Sequence, residues 1–177
     1  MASHYPEILI NKYVWRQFEL DSSRPLNQKY LSSFSYSSYN GVMPIFPVAD
    51  TKAGDSAWGT KTYIIYDSFM KARSTNKYFY PVKTAQMMYS IKGSLSQIFQ
   101  WRDYIANILD REDVSANDIN EYAGETLGND TIFFHCTNAS QVNYIANTTE
   151  TDGSNSLYST NLVIKFDYHI TNIYNNA

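Results

Sequence analysis

"AQMMYSIKGSLSQIFQWRDYIANILD", from Ala85 to Asp110, changes its period partway along. Met87, Tyr89 and Ile91 alternate with Gln86, Met88, Ser90 and Lys92, and a period of two is that of a strand with one face buried. Beyond Gly93 the period lengthens. Leu95, Ile98, Trp101 or Arg102, Ile105, Ile108 and Leu109 recur at three and four residues, the stripe of an amphipathic helix. Ser94 stands at the N-cap position with Gln97 three residues on, which is capping-box spacing. One stretch therefore requires a sheet and a helix whose apolar face covers it.

On the N-terminal side, Ile10, Val14 and Phe18 recur every four residues and Pro6 suits a first turn, so a helix is expected over about 6–20. "DSSRPLNQKYLSSFSYSSYNG" reads as a loop too aromatic to be an idle linker. "VMPIFPV", Val42 to Val48, carries two prolines that cannot donate to a ladder, which places any strand there at an edge or breaks it with a bend. "KTYIIY" reads as a strand from Lys61 to Tyr66, followed by a basic, tyrosine-rich loop projecting over about 67–84.

On the C-terminal side, Ser115 with Asp118 and then Gly124 mark a short helix. "TIFFHCTN" and "QVNYIAN" read as strands and "TTETDGSNS" as a turn. From Leu162 to Ile170 the alternation is the clearest in the chain, with Leu162, Ile164, Phe166, Tyr168 and Ile170 on one face. Strands grouped around helices favour an α+β fold: a mainly antiparallel sheet, with one long helix and shorter helices packed on one face, in a single domain over 1–177.

The 177 residues are 44% hydrophobic and 18% charged, a globular composition. The net charge of −3 opposes the basic footprint of a sequence-specific DNA binder. Cys136 is alone, so no internal disulfide is possible, and a reduced, buried thiol is expected. The first twenty residues lack a basic region followed by an apolar run, and no stretch approaches a membrane span of about 18 apolar residues. A chain that is neither exported nor membrane-bound is expected. The sequons at Asn129, Asn138 and Asn147 then read as ordinary polarity.

The motifs that could carry chemistry fail on geometry. "GDSAWGTK" spaces Gly54 and Gly59 like a phosphate loop, but Thr60 precedes Lys61 and a strand follows where a helix is needed. His135 and Cys136 are neighbours in a strand and point to opposite faces, so they form no nucleophilic pair. His4, His135 and His169 lack metal-ligand spacing. Asp110, Glu112, Asp113 and Asp118 lack the glycine-bearing order of a calcium loop. No catalytic residue, cofactor or metal is expected.

The 16 Tyr, 9 Phe and 3 Trp instead supply contact surface. Lys71, Arg73 and Lys77 interleave with Phe69, Tyr78, Phe79 and Tyr80. Such a cluster suits a protein interface or, against the acidic balance, a single-strand nucleic-acid platform. Phe69, Arg73, Tyr78 and Tyr80 are the expected contacts.

"VMPIFPVADTK", "GTKTYIIYDSF" and "YFYPVKTAQMMYSIKGSLSQIFQWRDYIANILDREDVSANDINEY" together resemble the tail terminator, or tail-completion, proteins of tailed bacteriophages. The similar parts are a proline-bearing early strand, a Tyr-Ile strand, a strand feeding directly into a helix, and an acidic "SANDINEY" stretch. The resemblance covers residues 42–138 best, and related neck or head-completion proteins share these structural motifs. It implies a homo-oligomeric ring, hexameric, seated on the last ring of the tail tube protein and facing a neck protein. In contractile tails it also implies contact with the sheath protein. The implied location is the virion tail or neck, after assembly in the host cytoplasm. DNA would pass through the bore without specific binding, and an acidic subunit would keep the wall from gripping it.

Overall fold

The computed structural model describes residues 6–48, 61–73, 83–110, 117–122, 132–135, 150–152 and 155–170. Helix α1 spans Pro6–Ser22, and α2 spans Leu95–Leu109. The strands are β1 (Ile45–Pro47), β2 (Tyr63–Arg73), β3 (Lys83–Gly93), β4 (Ile132–His135), β5 (Glu150–Asp152) and β6 (Asn155–Ile170). A further helical segment covers 117–122, where a short helix is expected.

The sheet runs β1-β2-β3-β6-β4, with β5 paired to the start of β6. Every pairing is antiparallel except β1 with β2, so the sheet is mixed and the class is α+β. The proline strand does sit at an edge. Its parallel pairing is made by Ile64 N–H donating to Pro44 O at 2.8 Å and Val48 N–H to Tyr66 O at 2.9 Å, neither of which asks a proline for a donor.

Register sorts the side chains into two faces. Ile64, Ile91 and Thr160 share a row, as do Tyr89 with Leu162 and Met87 with Ile164, and all seven are buried. Phe166 and Tyr168 continue that face. Both helices cover it: Tyr89 Oη donates to Asn11 Oδ1 of α1, while Ile98, Ile105 and Leu109 of α2 join the same core. The helices are tied together by Phe18 against Trp101 at 4.8 Å and by Tyr104 Oη donating to Gln17 O at 3.0 Å. Each fully buried side chain of Phe, Ile or Leu size contributes about 1.5–3 kcal/mol, so this layer dominates the fold's stability.

Several expectations change. α1 has 17 residues and α2 has 15, so two comparable helices replace one long helix with shorter ones. Leu95 is 47% exposed and leaves the helical stripe. The capping box at Ser94 does not form, because Gln97 Oε1 instead accepts from Thr62 Oγ1 at 2.6 Å. That bond ties the start of β2 to α2. The strand expected from Leu162 begins at Asn155, its first residues held by β5 in the span read as a turn. β2 continues to Arg73 and β3 begins at Lys83, so much of the span read as a projecting loop is hairpin.

Candidate subunit interface

The face opposite the helices carries Ile65, Asp67, Met88, Ser90, Lys92, Asn161, Val163, Lys165 and Asp167. All are half-buried, whereas Tyr63, in the same row as Lys92, is buried. Alternation along each strand puts these residues there, and Ser90 Oγ donating to Asn161 Oδ1 at 2.9 Å shows the cross-strand contact. Apolar and charged side chains alternate on this face at intermediate burial.

Of the expected contacts, Phe69 and Arg73 lie in the far half of β2. Ser68 pairs Met87 and Met70 pairs Gln86, so Phe69 is the extra residue of a β-bulge. Arg73 pairs Lys83, the last rung of the hairpin. Tyr78 and Tyr80 lie outside the described residues, as do Lys77 and Phe79. At this end one row crosses four strands, from Arg73 through Lys83 and Tyr168 to Phe134.

Both sides of that row are open among the described residues. β1 pairs β2 only from Ile64 to Tyr66, leaving 68–73 with no described strand on its second side, and β4 has β6 on one side alone. The sequence of β4, "IFFH", contains none of the lysine, glutamate or proline that protects exposed edges. β2 and β6 run toward the hairpin end; β3 and β4 run away from it.

Other candidates for chemistry stand as follows. Among the described residues no three His, Cys, Asp or Glu side chains converge to hold a metal. A strand does follow Lys61, whose Nζ donates to Ser38 O at 2.6 Å and lies 5.8 Å from the Tyr39 ring centre. Gly54, Gly59 and Cys136 fall outside the described residues, and Asp110 is an exposed residue at the C-terminal end of α2. A cleft of about 510 Å³ is lined by Gln17, Arg24, Tyr30, Tyr104, Asn107 and Ile108. Tyr30 stacks on Tyr104 at 5.9 Å there, with the Arg24 guanidinium 5.3 Å from the Tyr30 ring centre.

Three buried features had no signal in the sequence. Asp21 is fully buried and accepts from Tyr30 N–H at 3.0 Å and Leu31 N–H at 3.1 Å, fixing the aromatic loop against the end of α1. Tyr39 Oη donates to Thr62 O at 2.7 Å, and burial pushes its ionisation well above the ordinary tyrosine range. Trp15 is enclosed by Phe18, Phe34, Tyr36, Tyr39 and Trp101, at ring distances between 4.9 Å and 6.5 Å. No helix among the described residues is long and apolar enough to cross a membrane. The chain matches no protein-family model and no curated protein.

Proposed function

We propose that this chain is a structural assembly protein that forms a ring at the head-proximal end of a phage tail tube, ending tube growth and offering a surface to the neck. The observation that carries this reading is the polarity of the two strands that are open among the described residues at one level of the sheet. A neighbouring copy facing the same way would lay its β4 beside residues 68–73 of β2, antiparallel, and so continue the alternation of the sheet. The contact uses different surfaces on the two copies, so it repeats and closes into a ring when the rotation per copy allows.

Four strands at about 4.8 Å contribute about 19 Å of wall per copy, so six copies would enclose about 115 Å, or about 37 Å across. A wall of that size leaves a passage for duplex DNA. Tube contacts then fall to the strand ends and the hairpin, while the half-buried sheet face lines the passage, with no bond-making group needed.

The test is end-specific binding to preformed tail tubes. Labelled protein should co-sediment with tubes, mark a single end, and stop further growth when tube protein is added. Labelling along the tube length, at the baseplate end, or nowhere would refute the proposal.

A further inference from the structure

The sequence contains a single Asn-Gly pair, Asn40–Gly41, and it stands just before the edge strand β1. Asn40 has φ 51° and ψ 37°, and Gly41 has φ 74°. Two central residues at positive φ, closed by Val42 N–H donating to Tyr39 O at 2.9 Å, follow the pattern of a type I′ turn, for which Asn-Gly is a preferred sequence. Asn40, Gly41 and Val42 are all exposed.

A glycine after asparagine leaves the next backbone nitrogen unshielded by a Cβ, so that nitrogen can attack the side-chain amide. Gly41 N–H makes no hydrogen bond among the described residues, and a Cβ built on Gly41 would meet no atom within 4 Å. The turn itself opposes the reaction. With ψ at 37°, Asn40 Cβ and the Gly41 nitrogen stand on opposite sides of the Cα–C bond, whereas closing a succinimide ring needs them on the same side. The turn must therefore open before the reacting atoms meet.

We propose that Asn40 is a site of spontaneous deamidation, gated by opening of this turn, and that conversion loosens β1. Gly41 N bonds to Asn40 Cγ, the Cγ–Nδ2 bond breaks, and ammonia leaves with the proton from Gly41 N. Water then opens the imide at either carbonyl, giving aspartate or isoaspartate. Either product adds a negative charge to a chain already at −3. Isoaspartate also lengthens the main chain by a methylene, so Val42 N–H no longer fits Tyr39 O. The turn joins Tyr39, whose Oη is anchored on Thr62 O, to Pro44, whose carbonyl accepts from Ile64 N–H. Its loss slackens the cover that β1 gives to Ile64–Tyr66 of β2. The proposal stands independently of the ring reading.

The test follows residue 40 in the full chain at neutral pH by peptide mapping and mass spectrometry, beside the free peptide Ser37–Met43. Opening removes about one exposed hydrogen bond, so the folded chain should convert about two- to twelvefold more slowly than the peptide. Conversion that waited for global unfolding would be slower by about a thousandfold or more. Tyr39→Phe, which removes the anchor on Thr62 O, should bring the rate closer to that of the peptide. In the converted fraction, the Ile64 and Val48 amides should exchange with deuterium faster than in the parent. Asn40→Gly keeps a residue suited to positive φ but has no side-chain amide, so it should neither convert nor change that exchange.

Three results would overturn the proposal. A folded chain as fast as the peptide would show that the turn is no gate. A chain slower by about a thousandfold or more would show that the turn does not open on its own. Unchanged exchange at Ile64 and Val48 after conversion would break the link to β1.

Discussion

Replacing Gly93 by Ala tests how tightly the sheet meets α2. An added Cβ would lie 2.4 Å from Thr62 Oγ1, 2.9 Å from Thr62 Cβ and 3.0 Å from Thr62 Cα. Rotating the threonine relieves the first contact but breaks its hydrogen bond to Gln97 Oε1. The other two involve atoms held by the adjacent Tyr63–Lys92 rung, so the backbones must part. Overpacking costs about 1–3 kcal/mol and the lost hydrogen bond about 1 kcal/mol more, which predicts a destabilisation of roughly 2–4 kcal/mol. In a chain of this size that lowers the melting temperature by roughly 4–16 °C. Urea unfolding followed by circular dichroism measures the free energy, and thermal scans measure the shift. Thr62→Gly removes the two closest contacting atoms, so in the Gly93→Ala background it should recover about 1 kcal/mol or more relative to additivity. A Gly93→Ala protein within about 0.5 kcal/mol of the parent, or strictly additive changes, would refute the steric reasoning.

Two further predictions concern buried polar groups. Burial raises the ionisation of Tyr39, Tyr89 and Tyr104 above the ordinary value of 10.0. The unfolded chain therefore loses these protons first. Stability should be intact below pH 10 and fall above it, by up to about 1.4 kcal/mol per pH unit for each tyrosine. Urea midpoints that stay level as the pH rises past 10 would contradict this, and Tyr39→Phe should flatten the decline. Asp21→Ala strands the buried Leu31 N–H and the Tyr30 N–H and should cost about 2–3 kcal/mol in chemical denaturation. Asp21→Asn, which keeps an acceptor, should cost less; equal losses would show that packing rather than hydrogen bonding sets the role of this position.

The sequence by itself determined where the centres of the main strands and both helices lie, and which side of each is buried. Met87, Tyr89, Ile91, Leu162, Ile164 and Phe166 lie in the core as their alternation requires. Ile10, Val14 and Phe18 do so as their spacing of four requires. Periodicity is local, so burial on one face leaves its trace within a single segment. Tertiary structure decided what depends on a distant partner. The far half of β2, "DSFMKAR", lacks strand periodicity and is extended because β3 pairs with it and β6 holds β3. Gln97 leaves its capping position for Thr62, 35 residues away. The strand edges left open among the described residues and the sealed Asp21 arise only when separate segments meet, because contacts across such distances leave no pattern in either segment alone.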